Sequence, residues 1–292
     1  MSFKAAAAAV LLSLANVHAK SFNWNQGMSS LWHCQNSYCD PDSYITRTPK
    51  GPLEGFKATY HIYNEAHKTQ GYVGYSLQES TIYVAIRGSV EIQNFITDAT
   101  LAYEQVNYPD ACRNTKSVDK DLKVHKGFYD CTSIIGADVM LEVTRLTDLY
   151  PSFQVVVTGH SLGGAVATLL ALMLKNPEWG IQDKVQLYTF GCPRVGNEAF
   201  AVCASDILGR NSSRITHSHD IIPHSPSTMR YQHVKNEWYQ PTDEVDLQEC
   251  YGYEDKNCMN QWSGLKLSID DHLFYLGVQL GSTALDSCAQ IM

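Results

Sequence analysis

A pentapeptide near the middle of the chain has the residue types and spacing of an activated serine. Gly159, Ser161 and Gly163 form the pattern G-x-S-x-G in Gly159-His160-Ser161-Leu162-Gly163. In this pattern the serine lies on a sharp turn between a strand and a helix, and the flanking glycines leave room for its strained backbone. The turn presents the hydroxyl at a helix N-terminus, where backbone N–H groups favour negative charge. Ser161 is therefore a candidate nucleophile for attack on an acyl group.

The segments on either side of the pentapeptide match the strand and helix that this chemistry requires. Residues 154–157 are a short β-branched run that predicts a buried strand. Residues 165–174 are rich in Ala and Leu and predict a helix that ends before Asn176-Pro177. The alternative is a glycine-rich turn with a buried, unreactive serine, which the five residues alone do not exclude. With both flanking elements present, the nucleophile is the favoured interpretation.

A serine nucleophile needs a base, and the base needs an acid that orients it. Asp220 follows a predicted strand at residues 214–217 and precedes Ile221-Ile222-Pro223. Active-site residues of open α/β sheets cluster at the carboxyl ends of strands, so Asp220 is the candidate acid. Other carboxylates downstream lie in segments that resemble helix or loop, and we interpret them as solvated surface groups. These are Asp206, Asp243 and Asp246.

The base cannot be chosen by spacing alone, because five histidines follow Ser161. They are His217, His219, His224, His233 and His272. A single histidine is more often structural than catalytic, so the choice stays open at this point.

Alternating strand and helix patterns predict the fold class. Residues 72–77 and 81–86 are β-rich runs separated by a polar turn, which predicts a hairpin. Residues 134–149 have apolar side chains at helical spacing, and residues 185–190 form a further strand candidate. A short helix is also expected before Cys34. Strand, helix and strand in alternation predict an α/β fold with a mostly parallel central sheet flanked by helices.

Several separate motifs in one order resemble those of the fungal-type (class 3) triacylglycerol lipases, a family of the α/β-hydrolase superfamily. The resemblance extends from about Tyr60 to Gly277. The motifs are Ile86-Arg87-Gly88-Ser89, Val124-His125-Lys126-Gly127-Phe128, Val157-Thr158-Gly159-His160-Ser161-Leu162-Gly163-Gly164-Ala165, Thr189-Phe190-Gly191-Cys192-Pro193-Arg194-Val195-Gly196-Asn197, His217-Ser218-His219-Asp220-Ile221-Ile222-Pro223 and Asp271-His272-Leu273-Phe274-Tyr275. Cys192 and Phe95 depart from the family's usual residues, and neither departure affects the candidate triad.

The resemblance implies a role for each member of the site. By position, Ser161 is the nucleophile, Asp220 the acid and His272 the base. Preorganised N–H donors stabilise the oxyanion that forms when the ester is attacked. One donor is the backbone N–H after the nucleophile, at Leu162. The second, by resemblance, is Ser89.

The residues after Ser89 resemble the family's lid, a short amphipathic helix that covers the site in water. Its apolar side would consist of Val90, Ile92, Phe95 and Ile96. The alternative is a core helix with the same residues, and the sequence does not separate the two. A moving lid would expose an apolar patch that meets a lipid surface.

The N-terminus predicts a secreted protein. Lys4 is followed by an apolar run and by Val17-His18-Ala19, the pattern of a signal peptide at residues 1–19. The apolar run is much shorter than the roughly 20 residues that a membrane helix needs, so no transmembrane segment is expected. Residues 20–292 are predicted to form a single domain, extracellular or in the lumen of a digestive vacuole. With a net charge of −8 and no cluster of cations, nucleic acid is excluded as a partner.

Nine cysteines follow the predicted cleavage point, and behind a signal peptide most should form disulfides. The family often joins the pair that here is Cys250 and Cys258. We also expect Cys112 to pair with Cys131, and Cys288 to pair with Cys34 or Cys39. Cys192 or Cys203 is the candidate free thiol, unless these two pair. Asn211-Ser212-Ser213 is the one N-glycosylation sequon.

The sequence thus predicts a serine carboxylester hydrolase that acts on acylglycerols at an oil–water interface. Metal ions and organic cofactors are not implied, and we expect a monomer. The nearest alternatives are other esters on the same scaffold, namely phospholipids, galactolipids or feruloylated polysaccharide. A non-catalytic lipid-binding relative and a serine peptidase are less favoured, because the triad is intact and the flanking motifs resemble those of lipases.

Overall fold

The computed structural model describes residues 21–46, 48–92, 105–107, 121–281 and 288. The helices are α1 (Trp24–Asn36), α2 (Pro41–Thr46), α3 (Lys126–Leu149), α4 (Leu162–Leu174) and α5 (Glu198–Leu208). The strands are β1 (Phe56–Asn64), β2 (Thr69–Ser76), β3 (Thr81–Ile86), β4 (Gln105–Asn107), β5 (Lys123–His125), β6 (Gln154–His160), β7 (Val185–Phe190), β8 (Ser212–His217), β9 (Glu237–Gln240), β10 (Gln248–Glu249), β11 (Phe274–Tyr275) and β12 (Val278–Gln279).

Within the described residues, eight strands form one mixed sheet in the order β1-β2-β3-β6-β7-β8-β9-β10. The five strands from β3 to β9 are parallel to their neighbours, whereas β1, β2 and β10 pair antiparallel at the edges. The predicted α/β fold and the hairpin of β2 and β3 are therefore confirmed. Ile86, Gly159 and Thr189 lie side by side in the register of β3, β6 and β7. The loops that follow these strands consequently meet at one edge of the sheet.

The two faces of the sheet are buried by different helices, as the alternation along β6 requires. Val155 and Val157 pack into the core that contains the buried residues of α3 and α4. Val156 lies on the opposite face, in the core that contains Leu31 of α1. Burial of each such aliphatic side chain contributes about 1.5–3 kcal/mol, so both faces hold the sheet rigid under the loops at its edge.

Helix α3 begins well before the residue that the sequence predicted. The apolar spacing indicated a start at residue 134, but the helix starts at Lys126. Its first turns bury Phe128, Cys131 and Thr132. The Thr132 hydroxyl donates to the carbonyl of Phe128 at 2.8 Å, which satisfies this buried polar group within the helix. The core face of the helix is thus partly polar, and hydrophobic spacing alone did not reveal it.

The cysteines are paired partly as expected. Cys250 bonds to Cys258, and Cys288 bonds to Cys39. Cys34, Cys131 and Cys192 are buried free thiols among the described residues. The predicted pairing of Cys112 with Cys131 is wrong, because the Cys131 thiol lies on the buried face of α3 and hydrogen-bonds with the Thr69 side chain. Cys112 itself lies outside the described residues.

Cys203 is not the free thiol that the sequence offered as one choice. It is disulfide-bonded, and its partner lies outside the described residues. Of the two cysteines considered for the free thiol, Cys192 is the free one. Among the helices that the structure describes, none has the length and apolar character to cross a bilayer. The predicted signal peptide, residues 1–19, lies outside the described residues.

Candidate active site

The Ser161 backbone is held in a strained turn between β6 and α4. Its φ and ψ are 58° and −131°, a conformation that residues with side chains rarely adopt. A Cβ atom at Gly159 would lie 2.2 Å from the carbonyl oxygen of Gly163. A Cβ atom at Gly163 would lie 2.2 Å from the carbonyl oxygen of Ile86. Both glycines of the pentapeptide are therefore required by close backbone packing, as the pattern predicted.

Asp220, which follows β8, and His272, which lies in the turn before β11, form a buried hydrogen-bonded pair. The Asp220 Oδ2 atom accepts from His272 Nδ1 at 2.8 Å and from the Tyr275 hydroxyl at 2.5 Å. The Oδ1 atom accepts from the Ile222 backbone N–H at 2.8 Å. Asp220 is 2% exposed and His272 is fully buried. Three donors on one carboxylate fix its orientation and, through it, the orientation of the imidazole.

The Nε2 atom of His272 and the Oγ atom of Ser161 are both buried without a hydrogen-bond partner in the described part of the chain. Because Nδ1 faces a carboxylate, it carries the proton, and Nε2 has a free lone pair. Two contacts bring the base to the nucleophile. The ring of His160, which precedes Ser161, stacks on the His272 ring with centroids 4.3 Å apart. A Cβ atom at Gly191 would lie 2.8 Å from His272, and the preceding residue, Phe190, accepts from the Ser161 N–H at 3.0 Å.

The predicted oxyanion loop lies directly against the nucleophile. A Cβ atom at Gly88 would lie 2.9 Å from the Cβ atom of Ser161, so the loop backbone and the serine are in close contact. The Arg87 guanidinium anchors the loop by donating to Gln70 Oε1 at 2.7 Å. The other predicted donor, Leu162, is the first residue of α4. Ser89 and Leu162 thus belong to the two segments that flank Ser161.

The segment predicted as a lid is described only at its start. Val90 is 41% exposed, whereas Ile92 is buried and packs into the core beside α3 and α4. Phe95 and Ile96 lie outside the described residues. Glu91, between the two described apolar residues, forms a 3.1 Å ion pair with Lys68 on the turn between β1 and β2.

The other candidate histidines make no side-chain hydrogen bond to Asp220 or His272 in the described part of the chain. The His217 ring bonds to the backbone carbonyl of Asp271 at 2.9 Å, and the His233 ring bonds to that of Pro223 at 2.7 Å. Burial lowers the pKa of His224 from 6.5 to about 4, with nearby Arg194 lowering it further. The other candidate acids lie on the surface, as does the sequon asparagine. These are Asp206, Asp243, Asp246 and Asn211.

Sequence reasoning assigned no role to three side chains that surround the pair. Tyr275 donates to Asp220, His160 stacks on His272, and the Tyr38 hydroxyl lies 2.7 Å from His160 Nδ1. Tyr275 and His160 fall inside motifs quoted for the resemblance, so their position was a usable signal. Tyr38 follows α1 and lies 122 residues before His160 in the sequence, and no motif pointed to it.

The model of the family described as Lipase (class 3) matches residues 83–229. The chain belongs to the class 3 lipase family. The lipase of Rhizomucor miehei is 36% identical over 221 residues, which are 74% of this chain and 57% of that protein. A secreted mono- and diacylglycerol lipase of Fusarium solani is 29% identical over 227 residues, which are 77% of this chain and 61% of that protein. The matches span less than two thirds of the length of both relatives.

Solved structures of this class 3 lipase family have the same fold. The Rhizomucor miehei triacylglyceride lipase superposes with a TM-score of 0.78 at 31% identity, covering 90% of this chain and 97% of that one. A second triacylglycerol lipase, described as having a serine protease triad as its catalytic centre, has a TM-score of 0.77 at 32% identity with the same coverage. The fold is therefore that of the α/β hydrolases.

Proposed function

We propose that the chain is a serine carboxylester hydrolase that releases fatty acids from acylglycerols. The observation that carries the proposal is the buried His272, whose Nδ1 is bonded to Asp220, whose Nε2 has no hydrogen-bond partner among the described residues, and whose ring stacks on that of His160, the residue before Ser161. A base oriented by a carboxylate and placed next to a serine on a strained elbow is the arrangement that activates a hydroxyl for acyl transfer.

The first half of the reaction forms an acyl-enzyme. His272 Nε2 takes the proton of the Ser161 hydroxyl as Oγ bonds to the ester carbonyl carbon. The negative charge that develops on the carbonyl oxygen is stabilised by the backbone N–H groups of Leu162 and Ser89, each contributing about 3 kcal/mol. The C–O bond then breaks, and the leaving alcohol takes the proton from His272.

The second half returns the enzyme to its starting state. A water molecule gives a proton to His272 Nε2 and attacks the acyl carbon. The bond to Ser161 Oγ breaks, the serine regains the proton, and the fatty acid leaves. Asp220 orients the imidazole throughout and stabilises its charged form. Neither half-reaction is an oxidation or a reduction, so the groups named are sufficient for this route.

The substrate class is proposed from the relatives and from the start of the predicted lid. The Rhizomucor structure is that of a triacylglyceride lipase, and the Fusarium relative is named for mono- and diacylglycerols. Val90 is exposed beside the oxyanion loop and, with Ile92, Phe95 and Ile96, would form the apolar side of a lid that opens at a lipid surface. We also propose that the protein is a secreted monomer, with a signal peptide at residues 1–19 and a glycan on Asn211, which is exposed.

The test measures fatty-acid release from a triacylglycerol emulsion by the wild type, by Ser161→Ala and by the control Ser205→Ala. Ser205 is a buried serine in α5 whose hydroxyl donates to the Ala201 carbonyl and accepts from the Lys235 backbone N–H at 3.0 Å, and it has no place in the proposed triad. We expect Ser161→Ala to lose at least about 10³-fold in rate, because the nucleophile is removed. Ser205→Ala should keep most of the activity. Equal rates for the wild type and Ser161→Ala would contradict the proposal.

A substrate panel distinguishes the ester classes and the non-catalytic alternative. It compares emulsions of mono-, di- and triacylglycerol with phospholipid vesicles, galactolipid and soluble feruloyl esters. A fluorophosphonate probe is added to each protein in parallel, because it labels only an activated serine. Labelling that depends on Ser161, together with fastest turnover of acylglycerols, is the expected outcome. Absence of labelling, together with no turnover of any ester, would contradict a serine hydrolase and leave the non-catalytic alternative.

A further inference from the structure

His160 is buried between His272, the proposed base, and Tyr38, which follows α1. Its Nε2 atom lies 2.8 Å from the backbone carbonyl oxygen of His272, and its Nδ1 atom lies 2.7 Å from the Tyr38 hydroxyl. Its ring stacks on that of His272 at an interplanar angle of 29°. His160 is fully buried and Tyr38 is 3% exposed. The proposed base thus rests on His160 through both its ring and its backbone.

The partners of His160 determine which nitrogen carries its proton. The carbonyl of His272 can only accept, so Nε2 must be the N–H. Burial lowers the pKa of His160 well below its usual value, and the nearby His272 lowers it further. The ring is therefore neutral and Nδ1 accepts the Tyr38 O–H. The Tyr38 O–H thus satisfies the one ring nitrogen that the His272 carbonyl leaves without a partner, and it holds the ring at that second nitrogen.

Two further contacts hold Tyr38 in place, one through its neighbours in the chain and one through its hydroxyl. The Gln70 amide donates to the carbonyls of Ser37 and Cys39, the two neighbours of Tyr38 in the chain, at 3.1 Å each. The Tyr38 hydroxyl oxygen also packs against the backbone at Gly88 in the oxyanion loop. A Cβ atom at Gly88 would lie 2.3 Å from that oxygen, so the contact is close. The hydroxyl therefore connects the oxyanion loop to the support of the base.

We propose that Tyr38 is a positioning residue for acyl transfer, which acts through His160 on His272. Its hydroxyl anchors the His160 ring at Nδ1, in the tautomer that donates to the His272 backbone, and so keeps a neutral ring stacked beside the imidazole that becomes charged in each half-reaction. This proposal rests on the proposed hydrolase function and adds to it a residue outside the triad and outside the oxyanion donors. In the described part of the chain, the Tyr38 hydroxyl bonds to His160 and not to a side chain of Ser161, Asp220 or His272.

The test compares Tyr38→Phe with Tyr72→Phe as a matched control. Tyr72 is also buried, and its hydroxyl also bonds to a histidine, here His33 of α1, at 2.8 Å. Both variants lose one buried hydroxyl that helps to dock the same part of the chain onto the sheet. Of these two tyrosines, only Tyr38 contacts His160. Initial rates on a soluble butyrate ester give kcat and KM, and thermal melts report folding of each variant.

We expect Tyr38→Phe to lower kcat by about 10- to 100-fold with KM little changed, because a small misplacement of the base has an effect of that size. Tyr72→Phe should retain the wild-type kcat even if its melting temperature falls as much. His160→Phe, which keeps a stacked ring and loses both hydrogen bonds, should lower kcat further or equally, and adding Tyr38→Phe to it should cause no additional loss. Independent losses that multiply, or equal kcat values for the two tyrosine variants, would overturn the proposal.

A spectroscopic measurement separates this proposal from the proposed function. The His272 Nδ1 proton, shared with Asp220, gives a downfield proton resonance whose observation needs no turnover. Tyr38→Phe should shift or broaden this resonance, while Tyr72→Phe should not. If the wild type fails to hydrolyse esters, the proposed function is wrong and the resonance still tests the positioning. An active enzyme whose resonance and kcat are the same in Tyr38→Phe refutes the positioning alone.

Discussion

Replacing His33 by phenylalanine should make the stability of the protein less sensitive to acid. His33 lies on the buried face of α1, stacked on Tyr83 with ring centroids 3.8 Å apart and with its Nδ1 atom 2.8 Å from the Tyr72 hydroxyl. Burial lowers the pKa of His33 from 6.5 to about 3. The ring is therefore neutral in the folded protein above about pH 3.

The sign and size of the effect follow from proton linkage. Between pH 6.5 and about pH 3 the unfolded chain binds a proton at His33 that the folded chain does not, so stability falls as the pH falls. Each pH unit in this window removes about 1.4 kcal/mol, so lowering the pH from 7 to 4.5 removes about 3 kcal/mol through this one residue. His33→Phe removes this loss. At pH 7 it costs about 1–2 kcal/mol, because the hydrogen bond to Tyr72 is lost.

Urea unfolding followed by circular dichroism at pH 7 and pH 4.5 measures the change. The wild type should be the more stable protein at pH 7 and the less stable one at pH 4.5. Contributions from the other buried histidines are common to both proteins and cancel in the difference. His67→Gln, at an exposed position on the turn before β2, serves as the control and should follow the wild type. A difference between wild type and His33→Phe that is the same at both pH values would refute the reasoning.

Two further substitutions test the packing around the site. Gly191→Ala places a Cβ atom 2.8 Å from both the proposed acid and the proposed base at a φ of +57°, and should lower kcat by at least about 10²-fold on a soluble ester. Gly180→Ala, with similar φ and no atom within 4 Å, should leave kcat unchanged, and equal kcat values for the two variants would contradict the steric explanation. Arg194→Met leaves the largely buried Glu254 without its bidentate partner and should cost about 3–5 kcal/mol in urea unfolding. The exposed Arg145→Met should cost about 0–1 kcal/mol, and a comparable loss at both positions would show that burial is not the cause.

The parts of the molecule that were predictable are those whose signal is local. The strand, turn and helix around Ser161 follow from side-chain type, because a β-branched run, two glycines and an Ala- and Leu-rich run each favour one backbone conformation. The choice of Asp220 followed from its place after a strand. The parallel register of β6, β7 and β8 then brings these local features to one edge.

The rest depends on contacts that join distant parts of the chain. The start of α3 was predicted too late, because its buried face begins with Cys131 and Thr132 rather than with large apolar residues. The predicted pairing of Cys131 was wrong because sequence spacing does not distinguish a thiol that faces the core from one that faces another cysteine. Tyr38 lies 122 residues from His160, and only the folded sheet brings the two together.

The disulfide between Cys39 and Cys288 closes a very long covalent loop. The bonded residues are 249 positions apart, so nearly the whole domain is a closed ring whether folded or not. In the chain-entropy model a ring of this size restricts the unfolded state by about 5 kcal/mol. A force applied to the two ends would be borne by this covalent bond and would not pull the sheet apart. Because Cys39 follows Tyr38 directly, the mechanical anchor of the chain and the support of its proposed base occupy adjacent residues.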